Sequence, residues 1–352
     1  MEPMKHLLFF RIITCLLLFV PTSEPAQSCT AFRLGNGSAT LVGRNLDWPV
    51  SVGLVVVSPR GVQRTGIFTG TQRPARWAAR FGSVTLSQFG NGLPLEGMNE
   101  EGLIVIELSL SISRYPANGS RPALNEFQLI QYLLDTCRTT DEAVDALETV
   151  DILPVLFRLQ YFVCDRTGNT AVVQYLDGRC RIYTGDDLPV PVATNNRYDN
   201  MMRYLTNHRG FGGSRLVSNG PESPERFVRA ATLLQGVPDR HEKSLETVMS
   251  IQDTVSQPDT AWRTVFDPVH RNLYVRMGRE GTNNNVLHLD GLSFREGSPV
   301  LAVMIDRMGT DTLERWGPRM DRNLLGRVLS RLAEIGETVP AASRQLLLNP
   351  DR

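Results

Sequence analysis

Ser28-Cys29-Thr30-Ala31-Phe32-Arg33, read together with Gly43-Arg44-Asn45-Leu46-Asp47-Trp48, decides how this chain folds. A cysteine that becomes the first residue carries a thiol and a free α-amine, which is a nucleophile and its own base. The segment ahead of Cys29 fits its removal. Lys5 and His6 lie near the start, an apolar run broken by Arg11 covers residues 7–20, and Ala26 and Ser28 are the small residues of a secretory cleavage site. The expected division is a signal peptide over residues 1–28 and one domain over residues 29–352. The apolar run is shorter than the about 20 residues of a spanning helix, so stable membrane insertion is not expected. A lipid-modified Cys29 is the competing reading and would block the amine. Lipoprotein signals usually carry Leu where this chain has Ala26. The expected location is secreted or periplasmic.

Hairpin geometry places the partners. Asn36-Gly37 lies between two strand-like runs and signals a two-residue turn. With those residues as the loop, Cys29 falls opposite Arg44, where Cβ atoms are about 5 Å apart. Asp47 lies beyond the end of the Cys29 strand, on the side where a free amine would protrude. Positions 44 and 47 point to opposite faces of a regular strand, so the chain must bend near Leu46 for both to reach Cys29. The bland alternative for Arg44 and Asp47 is an ion pair at a strand end.

Lys+Arg and Asp+Glu both number 37, so no charge excess argues for nucleic acid. Cys15 leaves with the signal, and no remaining pair has C-x-x-C spacing. Cys164 and Cys180 lie on neighbouring predicted strands, where a disulfide and two buried thiols both stay open. No H-E-x-x-H pair points to a zinc hydrolase, no Gly-x-Ser-x-Gly to a nucleophile elbow, and no Gly-rich turn between strand and helix to a phosphate. Strands are expected over residues 50–58, 81–88, 102–110, 159–164, 171–176, 179–183, 190–194, 260–266, 272–275, 286–289 and 300–303. Gly97 to Gly102 reads as a tight turn, and Asp177-Gly178 as a second hairpin turn. Helical spacing covers residues 122–137, 224–233, 244–255 and 310–335, and Thr139-x-x-Glu142 reads as a capping box opening another helix. The tail from Glu337 reads as polar and loose. Antiparallel runs with helices grouped between them make an α+β pattern.

Six stretches occur in order: Cys29-Thr30, Gly43 to Trp48, Gly97-Met98-Asn99-Glu100-x-Gly102, Thr194-Asn195, Arg226-Phe227 and Trp262-Arg263-Thr264. Together they resemble the choloylglycine hydrolase family, which holds conjugated bile salt hydrolases and penicillin V acylases, among the N-terminal-nucleophile hydrolases. The resemblance implies a four-layer αββα sandwich with two antiparallel sheets, and hydrolysis of linear, non-peptide amide C–N bonds without a cofactor or metal. It implies Cys29 as nucleophile, Arg44 beside the thiol, Asp47 accepting from the α-amine, Asn195 as oxyanion donor and Arg226 closing the cluster. Ser109 stands where the family usually has Asn or Tyr, and Ser109 and Trp48 are the expected substrate contacts. The short interval from Asn195 to Arg226 resembles the exported penicillin-acylase branch. The implied partner is a small-molecule amide. An acyl-homoserine lactone acylase, a lipid-anchored binding protein of the same fold and homo-oligomer formation all stay open.

Overall fold

The computed structural model describes residues 28–116, 119–237, 244–336 and 339–348; the signal segment read above lies outside the described residues. In chain order the strands are β1 (Thr30–Leu34), β2 (Leu41–Asp47), β3 (Leu54–Ser58), β4 (Gln63–Thr65), β5 (Arg76–Ala78), β6 (Ser83–Ser87), β7 (Glu96–Asn99), β8 (Ile104–Ser109), β9 (Ala123–Leu124), β10 (Asp151–Ile152), β11 (Leu159–Cys164), β12 (Thr170–Leu176), β13 (Arg179–Thr184), β14 (Val192–Thr194), β15 (Thr260–Asp267), β16 (Asn272–Met277), β17 (Asn285–His288), β18 (Leu301–Met304) and β19 (Glu314–Arg315). The helices are α1 (Glu126–Thr136), α2 (Thr140–Ala146), α3 (Tyr198–Leu205), α4 (Ser223–Gly236), α5 (Leu245–Val255), α6 (Pro318–Glu334) and α7 (Ala341–Leu348).

Two antiparallel sheets form the body. One has the order β14-β1-β2-β15-β16-β17, the other β13-β12-β11-β8-β7-β6-β3-β18-β19. Helices α4 and α5 pack on the first, and α1 and α2 on the second. This is the αββα sandwich. Burial on both faces explains why β2 reads as a continuous buried run and not an alternating one. Its two faces are seen in neighbouring residues. Asn45 donates outward to Gln252 O of α5 at 2.9 Å, while Arg44 donates inward to Glu96 and Glu107 of the other sheet.

Motif glycines and Asn99 hold the layers close. A Cβ on Gly43 would stand 2.6 Å from the Phe32 ring and 2.8 Å from Val248 of α5. Asn99 Nδ2 donates to Leu134 O and Cys137 O, at 2.9 and 2.8 Å, and so ties the end of α1 to β7. Glu96 to Asn99 are thus a strand and not part of a turn; only the residues after Asn99 turn, with Gly102 at φ +87°.

The first hairpin differs from expectation. Leu34 pairs with Leu41 and Ala31 with Arg44, so Gly35 to Thr40 form a wider loop. Asn36 is extended, with φ −144°, and Gly37 N–H donates to Thr167 O, in the turn between β11 and β12, at 2.8 Å. That tertiary tie overrides the local turn preference. The offset is two residues, so Cys29 falls opposite Leu46 while Arg44 keeps its face and becomes the diagonal neighbour. By contrast Asp177-Gly178 makes the expected two-residue turn, both at positive φ, with Leu176 paired to Arg179.

Other differences are local. Thr139 caps α2 by accepting from Glu142 N–H at 3.2 Å, but Glu142 turns to Arg138 N–H, so the box is half formed. The complete capping box is Asn125 with Gln128 at α1, which begins only at Glu126. The predicted closing helix is confined to α6, because Gly317-Pro318 starts it. The tail is not loose throughout, since α7 buries Leu347 and Ser343. Cys29, Cys137, Cys164 and Cys180 are all free thiols; β12 separates the strands of Cys164 and Cys180.

Candidate active site

Cys29 stands at the head of β1, which runs between β2 and β14. Thr30 pairs with Thr194, so the next step of that ladder sets Asn195 opposite Cys29. On the other side Ser28 N–H donates to Asp47 O at 3.2 Å, continuing the β1–β2 register. The ladder of β2 with β15 breaks between Leu46 and Asp47, where Thr260 and Trp262 straddle an extra residue. A bulge of this kind increases the local twist; its extra residue lies on β15, opposite the step from Leu46 to Asp47.

Arg226, on α4, ties the cluster. Its Nη1 donates to Cys29 O at 2.7 Å and to Thr30 Oγ1 at 2.6 Å. Its Nη2 donates to Asn195 Oδ1 at 3.0 Å. Asn195 Nδ2 in turn donates to Ser109 O at 3.0 Å. An amide nitrogen carries two hydrogens, so one stays available beside Cys29. Ser109 thus joins the cluster through its carbonyl, which orients the Asn195 side chain. Desolvation lowers the Arg226 pKa, against the pull of Asp47 and Cys29.

Asp47 is fully buried. Its Oδ1 accepts from Thr260 Oγ1, and its Oδ2 has no partner among the described residues. Burial pushes its carboxyl up to about 7, although Arg226 and Thr260 oppose the shift. A buried acceptor with nothing to accept is costly, and a cation arriving there would relieve it.

Sequence reasoning missed two carboxylates. Arg44 is wholly buried and clamped by Glu96 Oε1 at 2.9 Å and Glu107 Oε1 at 2.8 Å. Trp262 Nε1 and Thr264 Oγ1 also donate to Glu96, at 2.7 and 2.8 Å, which accounts for the Trp and Thr of the sixth motif. The available signal was a lone carboxylate inside the apolar strand Ile104-Val105-Ile106-Glu107-Leu108. Arg44 is thus not an unopposed cation beside the thiol. Burial pushes the Cys29 thiol up to about 12; Arg44 lowers it, while Glu107 and Asp47 raise it further. The expected thiolate-favouring field is outweighed by desolvation, so deprotonation needs a base in contact.

Burial also pushes Glu107 up to about 7, despite Arg44. A carboxyl whose folded pKa lies above its unfolded value favours the folded state while protonated. That advantage is full below about pH 4.5 and lost as pH rises through about 7. Glu107→Gln is therefore expected to flatten the fall in Tm between pH 5 and pH 8, read by thermal melts across that range.

Trp48, the residue after Asp47, is buried and packs edge-on against Phe157 with centroids 6.0 Å apart. Phe157 meets Phe89 and Phe127 at 6.2 and 6.0 Å. An aromatic group thus adjoins the polar cluster.

Residues 29–277 match the model of the linear amide C–N hydrolases, choloylglycine hydrolase family. A penicillin V acylase of Pectobacterium atrosepticum is 26% identical over 297 residues, which is 71% of this chain and 78% of that protein. The structure of penicillin V acylase from Agrobacterium tumefaciens superposes with TM-score 0.70 at 26% identity, covering 82% of this chain and 98% of that one. A variant of the conjugated bile acid hydrolase from Clostridium perfringens shares the fold with TM-score 0.64 at 14% identity, covering 82% and 97%. With the family model spanning most of the chain, from Cys29 through the Trp262 motif, the protein belongs to the choloylglycine hydrolase family and is a linear amide C–N hydrolase.

Proposed function

We propose that this protein is an exported, penicillin V acylase-like amidohydrolase in which Cys29, freed by removal of its leader, is both nucleophile and base. The observation that carries the reading is the unpartnered, buried Oδ2 of Asp47 beside the Ser28–Cys29 backbone. An ammonium at Cys29 would fill that vacancy, and its charge would return Asp47 to the carboxylate.

The steps are those of acyl transfer through Cys29. An α-amine has a pKa near 8 and is partly neutral at pH 7. It takes the thiol proton, and the thiolate attacks the amide carbonyl. The remaining Asn195 N–H meets the oxyanion, with Arg226 and the Ser109 carbonyl fixing the side chain. Collapse of the tetrahedral centre breaks the C–N bond, and the ammonium at Cys29 gives its proton to the departing nitrogen. The acyl group is left as a thioester. Water, losing a proton to the same amine, then releases the carboxylic acid and restores the thiol. Trp48 and Phe157 offer an apolar surface for the acyl group.

The test pairs intact mass with a panel of amides sharing one leaving amine. The exported protein is expected to begin at unmodified Cys29 and to release amine from apolar acyl amides. A diacylglycerol adduct on Cys29, or a chain that starts elsewhere yet turns over the panel, overturns the reading.

A further inference from the structure

Helices α6 and α7 lie beyond residues 29–277, the part that the family model matches, yet they are bonded to two loops beside the candidate site. Asp321, in the first turn of α6, is half-buried. Both its oxygens accept from Asn91 N–H at 3.1 Å, and Oδ1 also accepts from Trp316 Nε1 at 3.0 Å. A Cβ on Gly90 would stand 2.7 Å from Asp321 Cγ, and Gly90 has φ +105°, so the loop backbone rests directly on the carboxylate. In α7, Ser343 Oγ donates to Val155 O. Leu324, Leu325, Val328 and Leu332 bury the apolar side of α6 against the body.

The loops so held carry Phe89 and Phe157. Their inner ties come from the second sheet and α1. Ser87 Oγ sits 2.7 Å from both Gly90 O and Leu93 O, and Glu126 accepts from Val155, Leu156 and Phe157 N–H at 2.7 to 2.8 Å. Their outer ties include those from the C-terminal helices. The aromatic group reaches the polar cluster from two directions. Trp48 follows Asp47, and Phe157 stands just before Leu159, which pairs with Ser109, the carbonyl partner of Asn195. A change in the seating of either loop is therefore carried through Phe157 to Trp48, the residue after Asp47.

We propose that α6 and α7 form a clasp that sets acyl-group selectivity, with Asp321 as its positioning residue. By fixing residues 88–93 and 153–157 from outside, the clasp sets how Phe89 and Phe157 seat against each other and against Trp48. This rests on the amide-hydrolase reading for its substrate. Removing the Asp321 carboxylate frees the Asn91 and Trp316 donors and lets the 88–93 loop move, which reseats Phe89 against Phe157 without touching the groups around Cys29. Asn at this position keeps one acceptor oxygen and so restores part of the tie.

The experiment uses the full mature chain with Asp321→Ala, Asp321→Asn and Ser343→Ala. It reads steady-state kinetics on amides of one amine, from acetyl to phenoxyacetyl, together with hydrogen exchange over both loops. Asp321→Ala is expected to raise KM about tenfold for the large aromatic acyl groups, with kcat and the acetyl amide unchanged and exchange faster in residues 88–93. Asp321→Asn should recover most of the difference, and Ser343→Ala should loosen residues 153–157. An equal change for every acyl group, or no change in KM, overturns the selectivity role. If the unaltered protein hydrolyses none of the series, the amide reading fails. The clasp is then judged by exchange alone, and unchanged protection in both loops in Asp321→Ala and Ser343→Ala overturns it.

Discussion

A Met-Cys29 chain that verifiably retains its Met is expected to lose on the order of 10³-fold in kcat/KM, although its thiol is intact. The reason is the environment of Cys29. Its thiol is fully buried and, with Ser28 attached, is pushed up to about 12. Arg44 cannot correct this alone, because Glu96 and Glu107 already clamp it. The proton must therefore pass to a base in contact, and a secondary amide at Cys29 has no basic lone pair. Removing the Met should restore turnover with no other change. Cys29→Ser should remain weak, since the amine deprotonates a hydroxyl with far more difficulty. Full turnover by the Met-retaining protein would place the base elsewhere and end the N-terminal-nucleophile reading.

Asn195→Ala is expected to lower kcat by about 10²- to 10³-fold with little change in KM, the signature of a donor that acts in the transition state. Arg226→Ala should cost a comparable factor by a different route. It releases Asn195 Oδ1, Cys29 O and Thr30 Oγ1 at once, and leaves Asp47 without its nearest cation. Because Arg226 works partly through Asn195, the double variant should cost less than the product of the two single losses. Steady-state kinetics on the four proteins, each checked by melting temperature, measure the coupling. Normal kinetics in a folded Asn195→Ala protein would remove that side chain from the reaction.

Much of this was legible because local and distant constraints agreed. Asp177-Gly178 turns as its residues predict, and Ser244 caps α5 where the helical spacing begins. Of the residues expected at the site, Cys29, Asn195 and Arg226 are joined by hydrogen bonds, and Arg44 and Asp47 act on the Cys29 thiol through their charges. What was not legible was set by contacts between layers. Asn36-Gly37 has the same local preference as Asp177-Gly178, but Thr167, in the turn between β11 and β12, holds its backbone in another shape. Glu96 and Glu107 carry no spacing signal, since their partner Arg44 lies on another sheet. The pairing of Asn99 with the end of α1 likewise turns an apparent turn motif into a brace between strand and helix.

The wide loop from Gly35 to Thr40 has a consequence for how such chains can diverge. Side chains alternate along β2, so adding or deleting two residues in that loop leaves the Arg44 guanidinium facing Glu96 and Glu107. A single-residue slip of β2 would turn it toward α5 and bring Asn45 or Gly43 into its place. Viable length changes at this hairpin should therefore arise in pairs, or arrive together with a compensating bulge. A lineage that drifts through odd-length intermediates would pass through inactive ones, which makes this surface loop far less free to vary than its exposure suggests.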